Sequence, residues 1–84
     1  MLKMSYVELP EGITLWLEGR LIGPWVEELR ALCEGLLIRG RPLTLDLADL
    51  AFVGTDGTKL LRSLSTRGVG LSNCSAFVIE QLRG

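Results

Sequence analysis

Histidine is absent from the 84 residues, and cysteine occurs only twice, as Cys33 and Cys74. Without histidine, neither a Ser-His-Asp nor a Cys-His catalytic arrangement can form within the chain. Two cysteines far apart in sequence do not supply the close ligand spacing of a zinc site, so no metal and no cofactor are expected. No apolar run approaches the roughly 18 residues of a membrane span, so direct membrane insertion is not expected. Met1-Leu2-Lys3-Met4-Ser5 has neither a long apolar stretch nor a small-residue cleavage site, and does not read as a secretory leader. Both thiols are therefore expected to be reduced and mostly packed, in a cytoplasmic protein. Excess charge is also lacking: nine Lys+Arg stand against ten Asp+Glu, for a formal net charge of -1. No basic stripe is available for nucleic acid. What remains is 48% hydrophobic and 23% charged residues, the composition of one small globular domain over residues 1–84.

Residues 1–9 alternate weakly and predict a strand, followed by a turn at Pro10-Glu11-Gly12. Ile13-Thr14-Leu15-Trp16-Leu17-Glu18 alternates cleanly, with Ile13, Leu15 and Leu17 on one face and Thr14, Trp16 and Glu18 on the other. The two strands should pair antiparallel. Gly23-Pro24 opens a helix in which Trp25, Leu29, Leu32 and Leu36 recur at helical spacing, flanked by Val26, Cys33 and Leu37. Cys33 thus reads as a buried filler. Gly40 and Pro42 end that helix. Leu43-Thr44-Leu45-Asp46-Leu47 predicts a third strand, Ala48-Asp49-Leu50-Ala51 a loop, and Leu60, Leu61 and Leu64 a second helix closed by Gly68. Val69-Gly70-Leu71 is a short fourth strand, and Ser75 caps a last helix carrying Phe77, Val78 and Leu82.

The order β-β-α-β-α-β-α predicts an α/β fold with a mixed, four-stranded or slightly larger sheet, parallel after the first hairpin. Three helices are too few to cover both faces, so one face should stay open, with Trp16 on it. Trp16 marks either a partner or homodimer contact, or a side chain shielded by the N-terminal strand and Tyr6; the sequence leaves both open.

The chemistry-bearing segment runs from Leu45 to Leu61. Thr55 is placed to cap the second helix, and Asp56 in its first turn suits the positive end of the helix dipole. Lys59, Arg62 and Arg67 could line a basic face beside it, or simply be solvated. Gly54-Thr55-Asp56-Gly57-Thr58-Lys59 superficially suggests a phosphate loop, but the final Lys-Thr order is reversed and the glycine spacing is wrong. Asp46, Asp49 and Asp56 would be the only source of a paired-carboxylate mechanism, and nothing in their spacing makes them converge on a cleft.

The same segment resembles the STAS domain family, named for sulphate transporters and anti-sigma factor antagonists. Members read apolar-Asp-Leu, a short loop, then Phe-Ile/Val-Asp-Ser-x-Gly and a Leu-rich helix. Leu45-Asp46-Leu47 matches the strand, Phe52-Val53 the approach and Thr55-Asp56-Gly57 the Ser-x-Gly core, while Leu15-Trp16-Leu17-Glu18-Gly19-Arg20-Leu21 is similar to the family's early strand. Gly54 stands where the family has Asp, and Thr55 where it has Ser. The resemblance implies a STAS-like fold with helices mainly on one face and a non-enzymatic, protein-binding function. It implies Thr55 as phosphoacceptor, with Gly54, Asp56, Gly57, Thr58, Lys59 and Arg62 as partner-binding residues. The implied partner is an anti-sigma factor or switch-type protein kinase. The alternative is a structural subunit on the ATPase of a lipid-transport ABC complex.

Overall fold

The computed structural model describes residues 1–83. Strand β1 (Leu2–Leu9) pairs antiparallel with β2 (Gly12–Leu21), β2 pairs parallel with β3 (Leu43–Val53), and β3 pairs parallel with β4 (Gly70–Ser72), giving the sheet order β1-β2-β3-β4. Helix α1 (Trp25–Leu37) joins β2 to β3, α2 (Thr55–Thr66) joins β3 to β4, and α3 (Ala76–Arg83) follows β4. The element order and mixed sheet are those the sequence predicts.

One face of the sheet makes the core. Ile13, Leu15, Leu17 and Leu21 of β2 and Leu43, Leu45 and Leu47 of β3 are buried with Val26, Leu29, Cys33 and Leu36 of α1, with Leu60, Leu61 and Leu64 of α2, and with Val78 of α3. All three helices therefore pack on this face. The opposite face carries Thr14, Trp16 and Glu18 of β2, because side chains alternate along a strand. Trp16 remains 39% exposed. Its register partners are Ser5 on β1 and Asp46 on β3, whereas Tyr6 is opposite Leu15 and so lies on the helix side. Tyr6 therefore does not shield Trp16.

The loop expected at Ala48-Asp49-Leu50-Ala51 is instead part of β3. Between Trp16 and Glu18, and again between Gly19 and Arg20, the β2–β3 register shifts, and each time β3 takes up one extra residue. Two bulges stretch the buried positions of β3 to Leu47, Leu50 and Val53, a spacing that no longer alternates. Asp46 anchors the first bulge by accepting the Ala48 N–H at 3.0 Å.

Helix ends follow local chemistry. Ser75 caps α3 as predicted, its hydroxyl accepting the Val78 N–H at 3.1 Å. Gly40, at φ +72°, turns the chain out of α1, its N–H donating to the Leu37 carbonyl. Among the described residues no helix is long and apolar enough to cross a membrane.

Candidate functional site

Strand β3 ends at Val53, and α2 begins two residues later. Gly54 occupies the N-cap position in extended backbone, and its N–H donates to the Leu21 carbonyl at 3.1 Å, tying the turn to the end of β2. Thr55 is the first helical residue. The expectation that Thr55 caps the helix is therefore corrected: the cap residue is Gly54, and α2 has no side-chain cap hydrogen bond. The Thr55 side chain is exposed, and its hydroxyl makes no hydrogen bond within the described residues. The local pin is Thr58, 6% exposed, whose Oγ1 donates to the Gly54 carbonyl at 3.0 Å.

The predicted binding residues separate into two groups. Gly57 is buried against the end of β2: a Cβ there would lie 2.8 Å from the Leu21 carbonyl oxygen and 2.8 Å from Val53 Cγ2. Gly57 and Thr58 hence seat the helix rather than project from it. Asp56 and Lys59 are exposed, and Gly54 is half-buried. Arg62 is exposed but engaged, with Nε donating to the Leu82 carbonyl at 2.8 Å and Nη2 to the Gln81 carbonyl at 3.2 Å. It thereby satisfies end carbonyls of α3 that have no partner within that helix.

The basic face drawn from Lys59, Arg62 and Arg67 is not a continuous surface. Arg67 leaves it to form a two-point ion pair with Glu34 of α1, at 2.6 and 2.9 Å. Thr55, Thr58, Lys59 and Arg62 do share one side of α2, as their i, i+3, i+4, i+7 spacing requires. With Glu80 and Gln81 of α3 they line a shallow open cleft of about 260 Å³. Lys59 is the unpaired cation beside Thr55 among the described residues.

The three aspartates do not converge. Asp46 and Asp49 lie on the open face of β3, whereas Asp56 lies in the first turn of α2. Among the described residues, no three His, Cys, Asp or Glu groups gather as a metal site would require. Burial raises the Cys33 thiol pKa to about 11 and also pushes the Cys74 thiol up, so both are poor nucleophiles at neutral pH.

This arrangement, a bulged parallel strand running into a helix whose first residue is an exposed hydroxyl amino acid, belongs to a STAS-like α/β fold. The structure is similar to that of the anti-sigma factor antagonist SpoIIAA in its unphosphorylated form, with a TM-score of 0.58 at 17% identity, over 100% of this chain and 99% of that one. No family model matches the sequence, and no curated protein matches it.

Sequence reasoning missed the inward seating of Gly57 and the engagement of Arg62 by α3. The small residue at Gly57 was the only available sign of the first. Nothing local to Arg62 signals the second, because its acceptors lie on a later element.

Proposed function

We propose that this chain is a non-enzymatic regulatory module that binds a partner protein through the Thr55 end of α2, and that phosphorylation of Thr55 switches the binding. The observation that carries the reading is the state of Thr55: exposed, with a free hydroxyl, at the amino end of a helix and one turn from Lys59. The fold shared with an anti-sigma factor antagonist supports the partner class, an anti-sigma factor or switch-type protein kinase of the cytoplasm.

The physics of such a switch needs no catalysis by this chain. A phosphate brings about −1.5 to −2 charges and three strong acceptor oxygens. The unpaired N–H groups of the first turn of α2 can receive it, and Lys59 lies at i+4 on the same side. Toward a partner the effect reverses, since the phosphate adds to Asp56 and must be desolvated at the contact. Unit charges about 4 Å apart at an effective dielectric near 20 interact by about 4 kcal/mol. A third of that changes affinity roughly tenfold.

The test is mass spectrometry of the native protein together with affinity capture from its own cells by wild type, Thr55→Ala and Thr55→Asp. Phosphate on Thr55, and a kinase-class partner held by wild type and Thr55→Ala but at least tenfold more weakly by Thr55→Asp, support the reading. Absence of phosphate with identical partners for all three forms overturns it. Recovery of an ABC-transporter ATPase by all three forms would replace it with the structural-subunit reading.

A further inference from the structure

The open face of the sheet is organised around Trp16. In register across the strands lie Ser5, Trp16, Asp46 and Ser72, and in the next row Lys3, Glu18 and Asp49. Three carboxylates, of Glu18, Asp46 and Asp49, thus surround a tryptophan that is 39% exposed. Glu18 and Asp49 are register partners of like charge, an arrangement that destabilises a sheet unless something compensates it. The compensation inside the chain is incomplete. Lys3 lies opposite Glu18 but forms no ion pair with it, and the guanidinium of Arg20 sits over the Phe52 ring, 5.4 Å from its centroid. Asp46 is held by neutral donors only, the Ala48 N–H at 3.0 Å and the Asn73 amide at 2.9 Å, which fix the carboxylate and leave its charge uncancelled.

We propose that this face docks a partner protein segment presenting arginine, with the guanidinium stacked on Trp16 and paired to Asp46. Neighbouring strands are about 4.8 Å apart, so an indole face and a fixed carboxylate stand side by side. Arginine suits that pair because its planar cation both stacks on aromatic rings and donates two parallel hydrogen bonds to a carboxylate. Asp49 and Glu18 extend the negative charge to a second basic residue of the same segment. The surface is separate from the Thr55 end of α2, so the inference stands without the phosphorylation reading.

The experiment titrates the isotope-labelled full chain with the peptide acetyl-Arg-Val-Arg-Val-Arg-amide, followed by NMR. Its lysine and glutamate counterparts are titrated in parallel, and the free chain is sized by sedimentation. The expected result is a set of shifts confined to Thr14, the Trp16 indole, Glu18, Asp46 and Asp49. Binding should weaken about fivefold or more in Trp16→Thr, in the Asp46→Asn/Asp49→Asn double variant, and between roughly 50 and 300 mM salt, since exposed pairs are screened. Thr55→Ala should bind as wild type. If Trp16→Thr does not fold, the double variant decides. No shifts at roughly 1 mM peptide, shifts in the α2–α3 cleft, or equal binding of the glutamate peptide would overturn the proposal. Equal binding of the lysine peptide would remove the stacking on Trp16, and a dimer abolished by the double variant would make a second copy the occupant; either also overturns it.

Discussion

The α-carbon of Gly57 is seated against the main-chain carbonyl of Leu21: a Cβ added at Gly57 would come within 2.8 Å of that oxygen and 2.9 Å of Leu21 Cγ. The same carbonyl accepts the Gly54 N–H, so one backbone oxygen at the end of β2 fixes both the cap and the first turn of α2. This contact sets where Thr55 stands relative to the sheet.

Replacement of Gly57 by alanine brings two effects of opposite sign. Helix propensity favours alanine by up to about 1 kcal/mol. Overpacking of a tight site costs typically about 1–3 kcal/mol, and the obstruction here is partly backbone, which cannot rotate away. The clash should win. Gly57→Ala is expected to lose up to about 2 kcal/mol in chemical denaturation, the balance of those two contributions. A variant more stable than wild type would show that the seating is loose.

Thr55 and Thr58 should behave oppositely although three residues apart. Thr58→Val keeps the shape but loses the hydrogen bond to the Gly54 carbonyl, and should cost about 0.5–1 kcal/mol. The low end applies because the Thr58 N–H also donates to that carbonyl, which is therefore not left bare. Thr55→Ala removes no hydrogen bond and should stay within about 0.5 kcal/mol of wild type. Thermal melts of the two variants check both statements. A large loss in Thr55→Ala would mean that the hydroxyl is structural and not free for modification.

These contrasts show where the sequence was readable. Ile13-Thr14-Leu15-Trp16-Leu17 and the leucines of α1 obey the simple periods of strand and helix, so the hairpin, the first helix and the exposed position of Trp16 follow from them. Strand β3 breaks its period at two bulges, and Ala48-Asp49-Leu50-Ala51 consequently looks like a loop until pairing with β2 is known. Thr55 resembles a cap because hydroxyl residues favour that position, yet Gly54 takes it when its N–H is claimed by Leu21. The pairings of Arg67 with Glu34 and of Arg62 with α3 join distant parts of the chain. Neither follows from local pattern, which is why the basic face dissolves in three dimensions.

The Glu34–Arg67 pair ties α1 to α2 and should appear in the acid limb of stability. The hydrogen bond from Arg67 lowers the Glu34 pKa below its ordinary value of 4.5. A depressed folded-state pKa gives stability that is present above 4.5 and is lost as pH falls through the lowered value. Both groups are exposed, so the contribution is small and screened by salt. Arg67→Met should flatten the decline in melting temperature below pH 4.5 at low salt and change it little at high salt. An unchanged acid limb at low salt would show that the pair adds nothing measurable.

Cys33 governs the opposite limb. Its side chain is fully buried between α1 and the sheet, and burial is the main reason its thiol pKa rises from 9.0 to about 11; the Glu34 carboxylate adds to the rise and Arg67 opposes it. The folded protein therefore holds the thiol proton more tightly than the unfolded chain does. Stability from this source is complete below pH 9 and is lost as pH rises from about 9 to about 11, because only the unfolded state ionises easily in that window. Cys33→Ala removes the titrating group at the cost of a small cavity. It should be less stable than wild type at pH 7, and the gap should narrow steadily toward pH 11. Denaturant melts at several pH values between 7 and 11 measure the gap, and a gap that stays constant would show that the thiol ionises as readily in the fold as outside it.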